Sequence, residues 1–365
     1  MSLNRRAAMR LGTAALLASA LPGCGSASYA PKPDGWRRFR VTTRVAIPRE
    51  GAAVQAWVPV PAVSEPGWMR PGEMVWRTDA AQAALKTDAR TGARFVHAVW
   101  PAGDAPATLE VTSMAATQSR SVDLTQPRPH PPLSPAERSR FTAPTRLIPT
   151  DGIVAQTAAA ITAGARSDLE KARRIYDWVV EKTARNPETR GCGLGDIASM
   201  LMMGDLTGKC ADLNALYVGL ARASGLPARD VYGLRVAPSD FGYDSLGAGS
   251  SDVTGAQHCR AEVFLSDFGW VPVDPADVRK VMLEEEARAL HLRDPQVRAA
   301  RSALFGAWEG NWVAYNFAHD VNLPGADGAD LPFLMYPQAE TGGERRDPLD
   351  PDGFAYTIEA RENRS

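Results

Sequence analysis

Three short segments of this chain carry residue types that together could open an amide bond. They read Gly208-Lys209-Cys210-Ala211-Asp212-Leu213-Asn214, then Gln257-His258-Cys259-Arg260-Ala261-Glu262-Val263, then Gly269-Trp270-Val271-Pro272-Val273-Asp274-Pro275. A cysteine attacks as its thiolate, and an unperturbed thiol with a pKa near 8.5 is only about a few per cent ionised at pH 7. Two local features would raise that fraction. At a helix start, Cys210 meets free backbone N–H groups and the positive end of the helix macrodipole. His258 could take the proton and store it as imidazolium, and Asp274 could orient that ring and stabilise its charge.

The surrounding pattern says which elements must position these groups. A helix is expected from Cys210 through Leu213, Leu216, Tyr217 and Leu220, stopped by Ser224-Gly225-Leu226-Pro227. His258 to Leu265 and Trp270 to Val273 are expected strands, joined by the turn Ser266-Asp267-Phe268-Gly269. In a regular hairpin His258 and Asp274 share a sheet face only if the loop holds an odd number of residues. A three-residue loop of Asp267, Phe268 and Gly269 satisfies this, and a four-residue loop needs a bulge, for which Pro272 is suited. Val231 to Val236 is a further strand, and Pro238 to Gly255 a glycine- and serine-rich loop beside the site. Upstream, Ile153 to Ile161 form a short helix. Ser167-Asp168-Leu169-Glu170 is a capping box opening another, with Leu169, Ala172, Ile175, Tyr176 and Val179 on one face. Helices followed by strands make residues 150–280 an α+β unit.

Residues 36–124 have the period of two that marks strands, as in Phe39, Val41, Thr43, Val45 and Ile47, and are expected to form a β-rich sandwich. The one helix signal there is Ala80 to Leu85. Residues 125–149 hold Pro127, Pro129, Pro131, Pro132, Pro135, Pro144 and Pro149, a density expected of an extended linker without regular structure. Residues 281–365 are expected to be a helical extension to about residue 305, followed by a strand at Phe354, Tyr356 and Ile358.

The stretch from Asp168 to Val278 resembles the transglutaminase-like core, the papain-like arrangement shared by transglutaminases, peptide N-glycanases and many bacterial exported proteins. The residues that carry this are Gly208-Lys209-Cys210, the run Ala221-Arg222-Ala223-Ser224-Gly225-Leu226-Pro227-Ala228-Arg229, and Gly269 to Pro275. The resemblance implies Cys210 as nucleophile, His258 as general base and acid, and Asp274, on the following strand, as the orienting residue. The family's common His-Ala-Trp is His258-Cys259-Arg260 here, and no tryptophan is placed as in the oxyanion site of animal transglutaminases. The Cys210 N–H would supply one oxyanion donor, and Gln257 is the candidate for the second.

The N-terminus reads as an address. Asn4-Arg5-Arg6-Ala7 precedes a short apolar run, Leu11 to Ala20, that is too short for a comfortable bilayer span. The twin arginines resemble a twin-arginine export signal, and Leu21-Pro22-Gly23-Cys24 resembles a lipobox. Residues 1–24 are thus expected to be an export signal with Cys24 acylated, and residues 25–35 a tether. Three cysteines remain, an odd number in an exported protein. The expected split is a reactive Cys210 and a Cys192–Cys259 disulfide, with two buried free thiols as the alternative. No Cys-x-x-Cys spacing supports zinc on Cys192, Cys210, His258 and Cys259, so no metal or cofactor is expected.

Among other polar residues, Asp212 and Asn214 read as first-turn helix residues, Glu262 as a partner of Arg235 or Arg260, and His319 as a packed histidine. A formal net charge of -1 gives no reason to expect a nucleic acid. The expected protein is a periplasmic lipoprotein of the bacterial cell envelope, membrane-anchored through its lipid. It would act on a protein, peptide or cell-wall peptide through a thioester, by hydrolysis or acyl transfer. The alternative is an inactive scaffold of the same fold that binds an envelope partner.

Overall fold

The structure is a computed structural model that describes residues 28–363. Its N-terminal part is a sandwich of two antiparallel sheets. One sheet has the strand order Ala355–Glu362, Arg37–Ile47, Ala107–Thr117, Met69–Thr78. The other runs Glu344–Arg345, Gln338–Thr341, Val54–Val60, Arg94–Trp100, Gln82–Thr87. Alternation places Val45 and Ile47 of one sheet against Val54, Val58, Val96 and Trp100 of the other, closing a dry core between the layers.

The second unit is an antiparallel sheet in the order Gly269–Val273, Gln257–Leu265, Ala228–Arg235, Trp312–Asn316, with helices packed against it. Helices α5 (Cys210–Ala223) and α3 (Asp168–Lys182) lie on the sheet, α2 (Gly152–Thr162) and α6 (Pro275–Glu284) pack on those two helices, and α4 (Ile197–Met203) lies beside α5. Leu216 and Leu220 of α5 meet Ile175 and Val179 of α3 and Val263 and Val271 of the sheet. Every residue of α5 from Cys210 to Arg222 is buried, as expected of a helix surrounded by other elements. Its end is a Schellman turn: Gly225, at φ +81°, donates to Arg222 O, and Leu226 N–H donates to Ala221 O.

Four expectations about organisation are corrected. Ala80 to Leu85 is not helical; Gln82–Thr87 is an edge strand paired with Arg94–Trp100, so long-range pairing overrides the local preference. The proline-rich segment 125–149 contains helix α1 (Pro135–Thr142), with Pro135 in its first turn and a capping box between Ser134 and Glu137. A proline costs nothing there, because a first-turn N–H has no helical partner. Phe141 of α1 packs edge-on against Trp270, which ties this segment to the sheet.

The described part of the tether, residues 28–35, is anchored rather than loose: Tyr29 is buried against Phe241 and Tyr243. Finally, residues 281–365 do not trail from the core. After α7 (Pro295–Ala303) the chain supplies the Trp312–Asn316 strand to the second unit's sheet and the Gln338–Thr341 and Ala355–Glu362 strands to the two N-terminal sheets. The strand expected at Phe354, Tyr356 and Ile358 is there as Ala355–Glu362, whereas the shorter Trp312–Asn316 and Gln338–Thr341 strands, paired far along the chain, leave little local signal.

Candidate active site

Helix α5 starts at Cys210, and the Asp212 carboxylate organises that start. One oxygen accepts from Lys209 N–H (3.0 Å), and the other accepts from Leu194 N–H (3.0 Å) and Gly195 N–H (2.9 Å). The 191–195 loop comes so close that a Cβ on Gly193, at φ +90°, would lie 1.8 Å from the Asp212 Oδ2. Asp212 therefore caps the helix and also fastens the loop that carries Cys192. Asp212→Ala would strand three backbone donors, and its unfolding free energy should fall by about 2–4 kcal/mol. An unchanged urea midpoint would show that Asp212 anchors nothing.

His258 stands opposite Gly233 in the sheet, and its carbonyl accepts from Trp312 Nε1 (2.9 Å). The Leu265↔Gly269 pairing leaves a three-residue turn, 266–268, one position earlier than expected but still odd. Asp274 lies just past the end of the Gly269–Val273 strand, as the N-cap of α6 rather than on the strand itself. There its Oδ2 sits 2.7 Å from His258 Nε2, and its Oδ1 accepts from Asp277 N–H (3.1 Å) and Asn214 Nδ2 (3.2 Å). With Nε2 committed to the carboxylate, Nδ1 is the nitrogen left for chemistry.

The site draws on residues to which the sequence reading gave no role there. Asn214, four positions after Cys210 and so on the same helix face, also donates to Cys259 O (2.8 Å). Asp277, one helical turn after Asp274, lies 3.4 Å from His258 Nε2 and accepts from Arg235 (2.5 Å). Arg260 stacks on Trp312, with its guanidinium 4.8 Å from the ring centre and its Nε 3.7 Å from Asp274. Glu262 meets neither Arg235 nor Arg260; it pairs with Arg229 (2.6 Å) and Arg120, away from the cleft. His319 is packed, with its Nε2 3.1 Å from Asp230.

No disulfide joins Cys192 and Cys259. All three described cysteines are free and buried in one cluster, and the Cys192 thiol donates to the Gln257 carbonyl (3.3 Å) rather than bonding to Cys259. The reason is topological: Cys192 is pinned beside the first turn of α5, while Cys259 lies in an inner strand of the sheet. Contact with Cys192, then Cys259, then His258 holds the Cys210 thiol well below the ordinary thiol range, against burial. Contact with Cys210 and burial push Cys192 up, and burial and Cys210 push Cys259 up. Burial and Arg235 pull His258 down, but Asp277 and Asp274 outweigh them and hold it above its usual value. Arg235 holds Asp277 low despite burial, whereas burial and Asp277 push Asp274 up. The balance favours a thiolate beside an imidazolium.

The cleft at Cys210 has a volume of about 500 Å³ and is lined by Cys192, Gln257, His258, Tyr336, the cations Arg185, Lys209, Arg235 and Lys280, and residues 247–249. Gln257 is buried, and its Nε2 has no hydrogen-bond partner. His258, Asp274 and Asp277 offer ligand atoms within 4.8 Å of one another, close enough for one metal ion. Arg235, Asn214 and a backbone N–H already engage their carboxylates, which suits a hydrogen-bonded network better than a cation site. Cys24 and the export segment lie outside the described residues.

Residues 155–275 match the transglutaminase-like superfamily. A protein of Haemophilus influenzae described only as uncharacterized is 34% identical over 333 residues, covering 87% of this chain and 89% of its own length. The crystal structure of a candidate cysteine protease from Cytophaga hutchinsonii aligns with a TM-score of 0.50 at 15% identity, covering 90% of this chain and 98% of that one. The periplasmic domain of TgpA from Pseudomonas aeruginosa aligns at 15% identity with a TM-score of 0.31, over 68% of this chain and 88% of that one.

Proposed function

The chain belongs to the transglutaminase-like superfamily, and from that premise we propose that it is a cysteine enzyme acting on amide bonds through a thioester. The observation that carries this reading is the arrangement of Cys210 at the start of α5, in one cleft with a His258 whose Nε2 is 2.7 Å from Asp274. In the proposed reaction the Cys210 thiolate attacks the carbonyl carbon of the amide. The oxyanion that forms is met by the Cys210 N–H, which has no partner within the helix, and by Gln257 Nε2. His258 gives its proton to the leaving amine as the C–N bond breaks. It then takes a proton from water, whose oxygen displaces the thiolate and releases the acid. An amine in place of that water would give acyl transfer instead.

The proposed substrate is a protein, peptide or cell-wall peptide at the bacterial envelope, where a lipid on Cys24 would hold the enzyme. Thiol reactivity tests the reading without knowledge of the substrate. At pH 6 an ordinary thiol is almost wholly protonated. Cys210 should therefore be alkylated by iodoacetamide at least about tenfold faster than a free cysteine, even after allowing for the weaker nucleophilicity of a low-pKa thiolate. It should keep reacting as the pH falls, and His258→Ala should reduce the advantage, leaving the part that Cys192 and Cys259 supply. A rate no faster than that of a free thiol, falling tenfold per pH unit below neutrality, would instead favour a binding scaffold of the same fold.

A further inference from the structure

We propose that Cys192 and Cys210 form a reversible thiol-modification site, in which a hydroperoxide oxidises Cys210 and Cys192 captures it as a disulfide. The inference deepens the proposed function by adding regulation of the same site, and it rests on that reading for its consequence but not for its chemistry. Cys192 plays no part in the amide reaction, yet the fold holds it beside the nucleophile. Its carbonyl accepts from Ala211 N–H (2.9 Å), the residue next to Cys210, and its own N–H donates to the Tyr336 hydroxyl (2.9 Å). Both cysteines line the same cleft, so a molecule the size of a peroxide that reaches one reaches both.

The other neighbouring thiol is less suited to the task. Cys259 belongs to an inner strand of the sheet, paired with Tyr232, and a shift of its backbone would break ladder hydrogen bonds. Cys192 sits on a loop between Gly191 (φ +56°) and Gly193 (φ +90°), outside any strand, where small adjustments toward disulfide geometry disturb no ladder. Electrostatics would also give the reaction an order. While Cys210 is a thiolate, its contact and its charge hold Cys192 protonated. Oxidation of Cys210 removes that charge and so eases Cys192 toward its thiolate, with burial still opposing and the Tyr336 contact and the Arg185 charge assisting.

The steps balance. The Cys210 thiolate attacks the outer peroxide oxygen, the O–O bond breaks, and the alkoxide leaves with the proton held by His258, giving an alcohol and a Cys210 sulfenic acid. The Cys192 thiolate then attacks the Cys210 sulfur, the S–O bond breaks, and hydroxide leaves as water with the proton Cys192 gave up. Two thiols and one hydroperoxide thus become one disulfide, one alcohol and one water. The disulfide removes the nucleophile until an external dithiol reduces it.

The test treats the reduced full chain with one equivalent of hydroperoxide, blocks free thiols, and maps cysteine-containing peptides by mass spectrometry. The expected result is a peptide cross-linked between Cys192 and Cys210 that disappears on dithiol treatment. It should form equally in Cys259→Ser. In Cys192→Ser it should be absent, with Cys210 left as the sulfenic acid and passing to the sulfinic acid when a second equivalent is added. A Cys210–Cys259 link in the wild type, or Cys210 over-oxidised as fast in the wild type as in Cys192→Ser, would overturn the proposal. Because the cross-link is read without a substrate, it stands or falls independently of amide turnover.

Discussion

Cys210→Ala is expected to lower kcat/KM on an amide substrate by about 10⁴-fold or more, to whatever the cleft achieves by binding and oxyanion contacts alone. The reasoning is that no other described group in the cleft both stands at a helix start and contacts a histidine. Contact with Cys210 and burial push the Cys192 thiol up, and burial and Cys210 push Cys259 up, so neither competes as the nucleophile. The variant should fold, since alanine is a good helix former and the site is already walled by α5, the sheet and the 191–195 loop. A far-ultraviolet circular dichroism spectrum and a urea midpoint close to wild type would establish this. Cys210→Ser, which nearly keeps the volume and loses the thiolate, should fall by a similar factor. Turnover retained by either folded variant would remove the thioester mechanism.

The second large effect is expected at Asp274, where two roles can be separated. Asp274→Asn keeps an oxygen to cap α6 but removes the negative charge beside His258. Its turnover should drop by about 10²–10⁴-fold with stability little changed. Asp274→Ala should lose as much activity and also about 1 kcal/mol of stability, because Asp277 N–H loses its cap acceptor. The pH dependence gives a sharper readout. Asp277 and Asp274 raise His258, so removing the Asp274 charge lowers it. The imidazolium is then lost at lower pH, and the alkaline limb of the kcat/KM profile, which needs that proton for the leaving amine, should move to lower pH in Asp274→Asn. An Asn variant with wild-type turnover and an unmoved alkaline limb would show that Asp274 neither orients nor charges the ring.

Much of the site was legible because its signals are local. Gly208-Lys209-Cys210 reads as a helix start from its neighbours alone, and the stop at Gly225-Leu226-Pro227 is turn chemistry that needs no partner. The hairpin from His258 to Asp274 was constrained by parity, and the three-residue turn meets that constraint although its residues are 266–268. What surrounds the triad was less legible. Asn214 read as an ordinary helix residue because nothing in its own segment shows that its amide reaches Asp274, sixty positions away in the chain. Glu262 was assigned to nearby arginines of its own sheet, but its partners are Arg229 and Arg120, the latter on a segment outside that sheet.

The sequence alone determined the family, the helix that presents Cys210, the strand that carries His258 and the order of the three segments. The family follows from the resemblance of those motifs, and the helix and the strand from periodicity, caps and turns that act over a few residues. Only the tertiary structure decided that Cys192 and Cys259 gather beside Cys210 as free thiols, with no disulfide between them. It also decided that Asp277 and Arg235 share the charge balance at His258, and that the last fifty residues complete sheets begun by the first sixty. These outcomes depend on which buried charges and edge strands meet, and a buried group must find a partner wherever in the chain that partner lies.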